Sequence, residues 1–483
     1  MKIKHIIGIS IFLGFLIYDL VNAQNFNDAL RLSTPGLGSS ARALSLGNSY
    51  SALSNDYSGA FFNPAGLGLV SKQQVYGGLN YTSLNNNTSF FNNNSGVTNS
   101  STDFSQFGMV FPVATFKGSL VFSIGYGRMK DFSKSLKFEA VNPNNSSMIQ
   151  DLTSTNDDIA YLLGVSYPVN DSKGNYLYDD TIIRGGLKQS GNIIQSGNIN
   201  AFAFSGAIEI AKDVYLGASL DILNGNYKNS REYTEEDVNN LYTGLTDPGD
   251  SSTTDFQSFY LNDILSWDIS GWDFKTGVLY KLNPLINIGA AIKFPSHYTI
   301  KESYFVSGES TFGSGQVFTL DPPIDNKTQY DISTPYEFTT GAALNLPFAV
   351  LTGQVQLIDY KSMEFTGGLD QGTREQNNRD INNLFRGVVN YNLGFEYRFP
   401  FMDLALRGGF IYQKSPFKDD PQEFDKKYFT AGLGIAPNSN FAVNLAYAHG
   451  WWKNFGDNYG VNESRTFQDI KRDNFILNFV YQY

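Results

Sequence analysis

Residue types that usually carry out chemistry are scarce in this chain. Its 483 residues include no cysteine and three histidines, His5, His297 and His449. A Ser-His-Asp triad needs a histidine base, and a zinc site draws most of its ligands from histidine and cysteine. The sequence also lacks the Gly-x-Ser-x-Gly elbow of hydrolases and any phosphate-binding loop. We therefore expect no enzymatic activity, no metal site and no cofactor.

Charged residues remain as candidates for ligand contacts, and they lie on segments in which polar and apolar residues alternate. Lys293 and His297 fall on the polar, inward side of one segment, opposite Ile288, Ile292 and Phe294. Residues expected to face inward on other segments are Lys275, Lys281, Glu337, Glu396, Arg398 and Arg407. The candidates for a ligand path are His297, Lys293, Arg398 and Glu396. They either contact a carboxylate in transit or form ion pairs that brace an interior segment.

The period of two in these segments predicts β-strands with two different faces. In Arg386–Phe399, for example, large apolar residues occupy the odd positions and polar or small residues occupy most even ones. The predicted strands are Gln73–Thr82, Gln106–Val113, Ser119–Arg128, Asn200–Ile210, Val214–Lys228, Gly271–Lys281, Leu285–Lys301, Tyr330–Leu344, Ala349–Lys361, Arg386–Phe399, Asp403–Gln413, Tyr428–Ala436, Phe441–His449 and Asp473–Tyr483.

The links between these strands alternate between short turns and long polar loops. The long links are Ser83–Ser105, Met129–Ile199, Asn229–Ser270, Glu302–Gln329, Ser362–Phe385, Lys414–Lys427 and Gly450–Arg472. A barrel with short turns at one rim and long loops at the other requires this alternation, whereas a β-sandwich does not. We therefore predict an all-β fold, a transmembrane antiparallel β-barrel of about 14 strands with a plug in its lumen.

The first residues of the chain have the layout of a secretory signal peptide. Lys2 and Lys4 precede an apolar run, Ile6–Ile17, and a short segment ending in Ala23 follows it. Residues 1–23 are therefore expected to direct export, and the barrel to lie in the cell outer membrane in contact with its lipid. A net charge of −11 argues against a nucleic-acid partner, which requires clustered Lys and Arg.

The stretch Asn25–Leu69 is the candidate for the plug. It is too apolar for a solvated linker, and its Gly and Pro residues prevent a long helix. A barrel of about fourteen strands has a lumen wide enough to leak unless something fills it. We predict that residues 24–70 form a plug, or hatch, inside a barrel made by residues 71–483.

Three segments of the long links have recognisable local patterns. Asp158–Pro168 is apolar enough for a short helix or a tucked segment. Thr234–Asp237 has the composition of a capped helix start ahead of Val238. Asp247–Asp250 lacks the spacing of a calcium loop and is predicted to be a turn.

Several segments, read with the plug and strands in place, carry a family resemblance: Pro35–Gly38, Arg42–Ala43, Asn63–Ala65, Gly271–Trp272, Gly277–Leu282, Pro295–Tyr298 and the aromatic strand ending in Tyr483. Through them the sequence resembles the outer-membrane long-chain fatty-acid and aromatic-hydrocarbon transporter family, called FadL-like. The resemblance covers essentially all of the chain after the signal peptide. The long Met129–Ile199 insertion departs from the shorter members of the family and leaves the ligand open.

The resemblance implies a monomeric barrel occluded by an N-terminal hatch. Family members take hydrophobic small molecules, such as long-chain fatty acids or aromatic hydrocarbons, from the outside, past the hatch and out through a gap in the wall. Gly125 and Gly127 are candidates for that gap, because glycine relaxes a strand. Alternatively, they are sites of close packing under the plug.

Two further groups of residues have alternative interpretations. Asn63, Pro64 and Ala65 form the family's hatch motif, either a rigid turn that holds the hatch against the wall or a plain link to the first strand. His449, Trp451 and Trp452 are expected in an aromatic girdle at the outer rim. As alternatives to transport of hydrophobic molecules, a general porin and an adhesin or structural barrel stay open.

Overall fold

The computed structural model describes residues 24–154 and 158–483. The predicted signal peptide, residues 1–23, lies outside the described residues. The helices are α1 (Phe26–Ser33), α2 (Ala41–Ser45), α3 (Gly59–Phe62), α4 (Met148–Leu152), α5 (Ile159–Leu162) and α6 (Gln371–Leu384). None of the helices in the described part of the chain has both the length and the apolar character needed to cross a membrane.

Strands account for most of the remaining described residues. They are β1 (Gln74–Phe90), β2 (Asn93–Val113), β3 (Leu120–Asp131), β4 (Lys134–Val141), β5 (Tyr167–Asn170), β6 (Tyr176–Asp180), β7 (Lys188–Ala211), β8 (Val214–Glu236), β9 (Phe256–Lys281), β10 (Ile286–Lys293), β11 (His297–Phe312), β12 (Val317–Thr319), β13 (Ile324–Ser333), β14 (Glu337–Asn345), β15 (Ala349–Asp359), β16 (Glu364–Gly367), β17 (Gly387–Arg398), β18 (Leu404–Gln413), β19 (Lys426–Asn438), β20 (Phe441–Asp457) and β21 (Arg465–Gln482).

The large sheet closes on itself as an antiparallel barrel of 14 wall strands. Strand β1 pairs with β2 on one side and with β21 on the other. Strands β10 and β11 together form one wall strand, since both pair with β9, and β13 and β14 form the next. Each short turn joins two neighbouring antiparallel strands and reverses the direction of the chain within a few residues. The predicted barrel of about 14 antiparallel strands is therefore confirmed.

At mid-height of the barrel, the apolar face of the long strands changes from the outer side to the inner side. In the half of β9 near the short turns, Trp272 and Val278 point outward and are exposed, while Lys275 points into the lumen and is buried. In the other half, Trp267 points inward and is buried, and Asp268 points outward. An apolar outer face suits lipid, and a polar outer face suits water. The lower half of the barrel is therefore the membrane band, and the upper half projects outside.

The strands extend much farther outward than the alternation predicts. Residues Ser83–Ser105, predicted as a loop, continue β1 and β2 as one paired hairpin. Its turn is Phe91–Asn92, with φ of 43° and 64°, the backbone that a two-residue hairpin needs. The prediction was wrong because an Asn-rich strand exposed to water on one face has the composition of a loop.

The extracellular connection between β4 and β7 forms a lid, defined here as residues 142–154 and 158–187. It contains α4, α5 and a small sheet of β5 and β6. The short helix predicted in Asp158–Pro168 is present as α5, after which Tyr167 begins β5. Residues Asp247–Asp250 form a turn, with the Gly249 N–H donating to the Asp247 carboxylate.

The helix start predicted at Thr234–Asp237 is wrong, because these residues end β8 in an extended conformation or directly follow it. Glu235 points inward and accepts hydrogen bonds from the Met148 N–H, the Gln189 amide and the Tyr233 hydroxyl. Glu235 lies above the membrane band, and burial raises the pKa of its carboxyl to about 7. Tertiary contact with the lid thus outweighs the local preference for a capped helix.

Candidate functional site

The plug occupies the lumen as a series of short helices, and the first two, α1 and α2, begin at residues whose side chains cap them. Asn25 starts α1 with a capping box, in which its side chain accepts from Asn27 N and its own N–H donates to Asp28. Ser40 starts α2 by accepting from Ala43 N at 3.2 Å. Local capping shapes the plug, since each helix is too short to be stable alone.

The plug backbone approaches the wall at a ring of inward-facing glycines, called the glycine belt here. Its members are Gly108, Gly125, Gly127, Gly217, Gly277, Gly289, Gly341, Gly394, Gly409 and Gly432. A Cβ atom added at any of them would lie within 2.6 Å of a plug atom. Gly217 faces Gly277 across neighbouring strands, and Gly289 faces Gly341 in the same way. The wall is thus built without side chains where the plug rests on it.

The hatch motif joins the plug to this belt. The Asn63 amide donates to Ser51 O at 2.7 Å and to Val278 O in β9 at 3.1 Å. Its carbonyl accepts from Ala65 N at 3.1 Å, and Pro64 occupies the first turn of a short 3-10 helix. The motif therefore contacts the wall directly, and a Cβ at Gly277 would lie 2.0 Å from the Asn63 side-chain oxygen.

Gly125 and Gly127 lie in a paired part of the wall. Gly125 pairs with Gly108 and Gly127 with Gln106, and their missing side chains make room for Tyr57 and Phe61 of the plug. The ladder between β2 and β3 ends directly after Gly127. These glycines are therefore sites of close packing under the plug. Strands β2 and β3 separate just above them.

Above that point β3 is bulged and the two strands are joined by side chains. The register between β3 and β7 shifts between Arg128 and Lys130, which leaves Met129 unpaired. Arg128 forms an ion pair with Asp103 of β2 across the separation. Gly36 of the plug packs against the Met129 carbonyl, so the plug is directly behind this part of the wall.

Lys293, one of the ligand-path candidates, faces the lumen as predicted. Its ammonium lies 3.1 Å from Glu337 and 3.7 Å from Asp273. Neighbouring Lys275 forms ion pairs with Asp221 and, at 3.2 Å, with Asp273. Two ammonium groups thus bind three carboxylates, and these ion pairs brace the middle of the lumen.

Glu396 and Arg398 belong to a second ionic network near the short turns. Glu396 is 1% exposed and binds Arg407 at 2.6 Å and Arg398 at 2.5 Å. Arg42 of the plug lies 3.7 Å from the same carboxylate. The Arg398 side chain is 55% exposed, so of these groups it is the one most open to solvent. This network ties the plug to strands β17 and β18.

His297 does not face the lumen, and its predicted inward orientation is wrong. Residues 294–296 interrupt the strand between β10 and β11 with one extra residue relative to β9. An odd insertion moves every following side chain to the other face, so His297 is exposed and lies 4.9 Å from the Trp272 ring. Tyr298 takes the inward position instead.

The predicted outer girdle is divided between the two faces of β20. His449 and Trp451 point outward, with the His449 Nδ1 2.8 Å from Asp473. Trp452 points inward and packs beside Tyr428, at 6.1 Å between ring centroids. Its predicted place in the girdle is wrong, because alternation puts adjacent residues on opposite faces.

The upper lumen is lined by a large apolar cluster. Inward residues of the long strands, among them Tyr227, Trp267 and Tyr330, pack around Phe26 and Leu32 of α1. The aromatic residues Phe132, Phe138, Phe256, Phe259 and Phe365 belong to the same cluster. This surface was not predicted from the sequence, although the strands carry a signal for it. Beyond the girdle their residues still alternate, but the apolar residues lie on the inward face.

Three polar groups hold α1 inside this apolar cluster. Lys130 of β3 donates to the carbonyls of Arg31 and Leu32 at 2.8 Å, which caps the C-terminus of α1 with a positive charge. The Arg31 guanidinium lies 4.3 Å from the Tyr227 ring centroid. Glu302 accepts from Trp267 at 2.8 Å and from Gln24, just before α1.

Two spaces lie at the ends of α1. An extracellular cleft of about 1850 Å³ reaches Phe26, and the aromatic contacts Phe417–Phe385 and Phe385–Phe26 join its wall to the helix. A lumenal cavity of about 160 Å³ reaches Leu32 and extends to Met129 and Lys293. Helix α1, about 12 Å long, therefore separates the outer space from the inner one.

A family model matches most of the chain. The family model described as outer membrane protein transport protein (OMPP1/FadL/TodX) matches residues 20–473. No curated protein matches the chain.

Solved structures with this fold share little sequence with the chain. The toluene transporter TodX of P. putida is 13% identical with a TM-score of 0.55, covering 91% of this chain and 97% of that one. A Pseudomonas aeruginosa FadL homologue is 12% identical with a TM-score of 0.57, covering 93% and 99%. The CymD monoaromatic hydrocarbon channel is 12% identical with a TM-score of 0.52, covering 92% and 98%. At these identities the likeness shows the fold.

Proposed function

The chain belongs to the outer membrane transport protein family OMPP1/FadL/TodX, and we propose that its cargo is a hydrophobic small molecule, a long-chain fatty acid or an aromatic hydrocarbon. It is an outer membrane protein of a family that transports rather than catalyses, and we propose that it acts without enzymatic activity. We also propose that residues 24–70 act as the hatch, that residues 71–483 form the barrel and that the protein is a monomer.

One observation carries this proposal, the apolar lining of the upper lumen. A water-filled pore needs polar walls, whereas here aromatic side chains such as Trp267 and Tyr330 surround α1. Burial of apolar surface stabilises a bound ligand by about 25 cal/mol per Å², which favours alkyl chains and aromatic rings without demanding a specific polar contact. A general porin is not favoured, because the plug fills the lumen.

The proposed entry runs from the extracellular cleft to α1. Phe417, Phe385 and Phe26 form successive aromatic contacts of 4.7 and 5.9 Å from the cleft to the helix. A hydrophobic ligand that replaces these contacts keeps apolar surface buried while it moves inward.

The proposed exit is the separation between β2 and β3. The ladder between them ends at Gln106 and Gly127, and bulged Met129 lines the lumenal cavity. Opening the Arg128–Asp103 ion pair would join that cavity to the surrounding lipid. The hatch motif, whose amide binds Val278 O, would hold the rest of the plug in place.

Uptake by proteoliposomes tests the proposal. Liposomes with the protein are expected to take up labelled oleate or toluene faster than liposomes without it. They are not expected to swell in isotonic sugar, because the plug blocks water-filled passage. Rapid swelling with no added uptake of either hydrophobic molecule would contradict the proposal and favour a porin.

A further inference from the structure

A groove of about 720 Å³ opens on the outer surface of the barrel wall, across strands β14, β15, β17 and β18, and we call it the outer groove. Its floor is a line of cross-strand neighbours, Ala343, Thr352, Gly394 and Gly409. The side chains of Ala343 and Thr352 point into the lumen and are buried, and the other two residues have none. The floor of the groove is therefore bare backbone.

Outward-facing residues form the two sides of the outer groove. They are Leu351, Phe395 and Gly408 on one side, and Gly353, Leu393 and Phe410 on the other. A Cβ atom added at Gly353 would lie 3.6 Å from its nearest neighbour, and one at Gly408 would lie 3.8 Å away, so each side has an opening. Leu393 and Phe395 stand beside these openings and are 59% and 44% exposed. Large apolar side chains next to glycines thus give the groove its depth.

The outer groove lies in the half of the membrane band nearer the short turns. Leu351 is three positions beyond the turn residue Phe348, about 10 Å of strand, whereas the apolar band of such a barrel is about 25 Å tall. Exposed apolar residues, Phe348 and Phe401 among them, continue from the groove to the turns that close these strands. No charged side chain lines the groove among the described residues, and the Thr352 hydroxyl is turned inward to Ser49. The groove is therefore continuous with the surface that meets lipid.

The shape of the outer groove indicates a single hydrocarbon chain. It crosses four neighbouring strands, a length of about 14 Å at the usual spacing between strands. Apolar groups gain little by leaving one lipid contact for another, so what is held in the groove is held by dispersion contacts. A chain in the groove contacts the wall on its floor and on both sides, whereas a chain on a smooth wall contacts it on one side. A second barrel presents a convex wall that would not reach the floor, and a stable dimer buries about 800 Å² on each partner.

We propose that the outer groove binds one acyl chain of a phospholipid from the periplasmic leaflet of the membrane. The proposal depends on the position of the barrel in the outer membrane and is independent of the proposed cargo. It is also separate from the proposed exit, because seven wall strands lie between the two sites in either direction, from β3 to β15 and from β17 to β2.

The bound chain would lie directly behind the plug. On the inner side of the same wall, the Thr352 and Ser49 hydroxyl oxygens are 3.0 Å apart. A Cβ atom at Gly409 would lie 2.3 Å from the Gly47 nitrogen of the plug. A single layer of backbone therefore separates the lipid from plug residues 47–49.

Mass spectrometry of the intact full chain, released from a mild non-ionic detergent, tests the proposal by counting the phospholipids that the protein retains. The variant G353L/G408L places a branched side chain on each side of the groove. The control G77L/G206L makes the same change at outward-facing glycines of β1 and β7, outside the groove. A shift in gel mobility on heating shows that each variant is folded.

The expected result is one retained phospholipid in wild type and in the control. In G353L/G408L the retained fraction should fall about tenfold, as for the loss of packing around about two methylene groups. Equal retention in this variant and in wild type would overturn the proposal, and so would a wild type that retains no phospholipid. Retention of a free fatty acid in place of a phospholipid, or a dimer that G353L/G408L separates, would also overturn it by showing a different occupant.

Photochemical labelling of wild type tests the site without any substitution. The protein is placed in liposomes that contain phosphatidylethanolamine with a diazirine at the end of one acyl chain. Residues Leu393–Phe395 should be labelled more heavily than Phe107 and Phe479, which are similarly exposed on the lipid face of other strands. Equal labelling at these positions would show lipid that covers the wall evenly and would overturn the proposal.

Discussion

The stability of the docked lid should depend on pH through Glu235, whose carboxyl is buried and forms no ion pair with any described residue. Its Oε2 has no hydrogen-bond partner among the described residues, and burial raises the pKa from 4.5 to about 7. The folded state therefore holds a proton that the open lid releases. The docked lid should lose stability as pH rises from about 4.5 to about 7, by about 3 kcal/mol in total.

The variant E235Q imitates the protonated carboxyl and should remove this dependence. Tryptic cleavage at the exposed Lys173 of the lid reports opening. Wild type and E235Q should be cut at similar rates at pH 5, and wild type faster at pH 8. If the cleavage rates of wild type and E235Q depend on pH in the same way between pH 5 and pH 8, Glu235 does not control the opening of the lid.

Individual side chains were predicted only where the strand pattern was unbroken. Lys293 and Glu396 face inward as their parity requires. His297 does not, since an extra residue at 294–296 reverses the faces, and alternation alone gives no sign of it. Arg31 and Lys130 could not be paired from the sequence, because their contact depends on where the plug sits.

At the level of strands, the glycine belt sets how closely the plug can dock. In G277A, the new Cβ would lie 2.0 Å from the Asn63 side chain and break its contact with the wall. We expect a loss of plug docking of about 1–3 kcal/mol, as for other overpacked contacts. Single-channel recordings in planar bilayers should then show brief openings that wild type lacks.

The matched control is G353A, on wall strand β15. Gly353 lies on the outward face, and its nearest atom to a new Cβ is Leu393 Cδ2 at 3.6 Å. This variant makes the same change in side chain without touching the plug. Equal conductance in G277A and G353A would show that the belt does not seat the plug.

Strand number and order were predictable, whereas strand length was not. Fourteen alternating segments and their short turns follow from local pattern, which the barrel requires. The upper parts of β1, β2 and β8 were predicted to be loops. There the outward face is polar because it meets water, and the inward face is apolar because it packs on the filled lumen. This is the reverse of the pattern expected of a membrane strand. The apolar upper lumen was missed for the same reason.

For the molecule as a whole, the proposed path passes beside the plug and leaves through the wall between β2 and β3. A reducible thiol reagent that bridges D103C and R128C should close this exit, since these positions flank the separation. The chain has no native cysteine, so the reagent acts only there. A disulfide in S49C/T352C, whose hydroxyl oxygens lie 3.0 Å apart, should instead lock the plug to β15.

Uptake of labelled oleate by proteoliposomes containing each variant, before and after reduction, is the most direct test. Bridged D103C/R128C should take up no more than empty liposomes and recover on reduction, while the locked plug of S49C/T352C should leave uptake unchanged. Full uptake through the bridged wall, together with its loss when the plug is locked, would contradict a lateral exit.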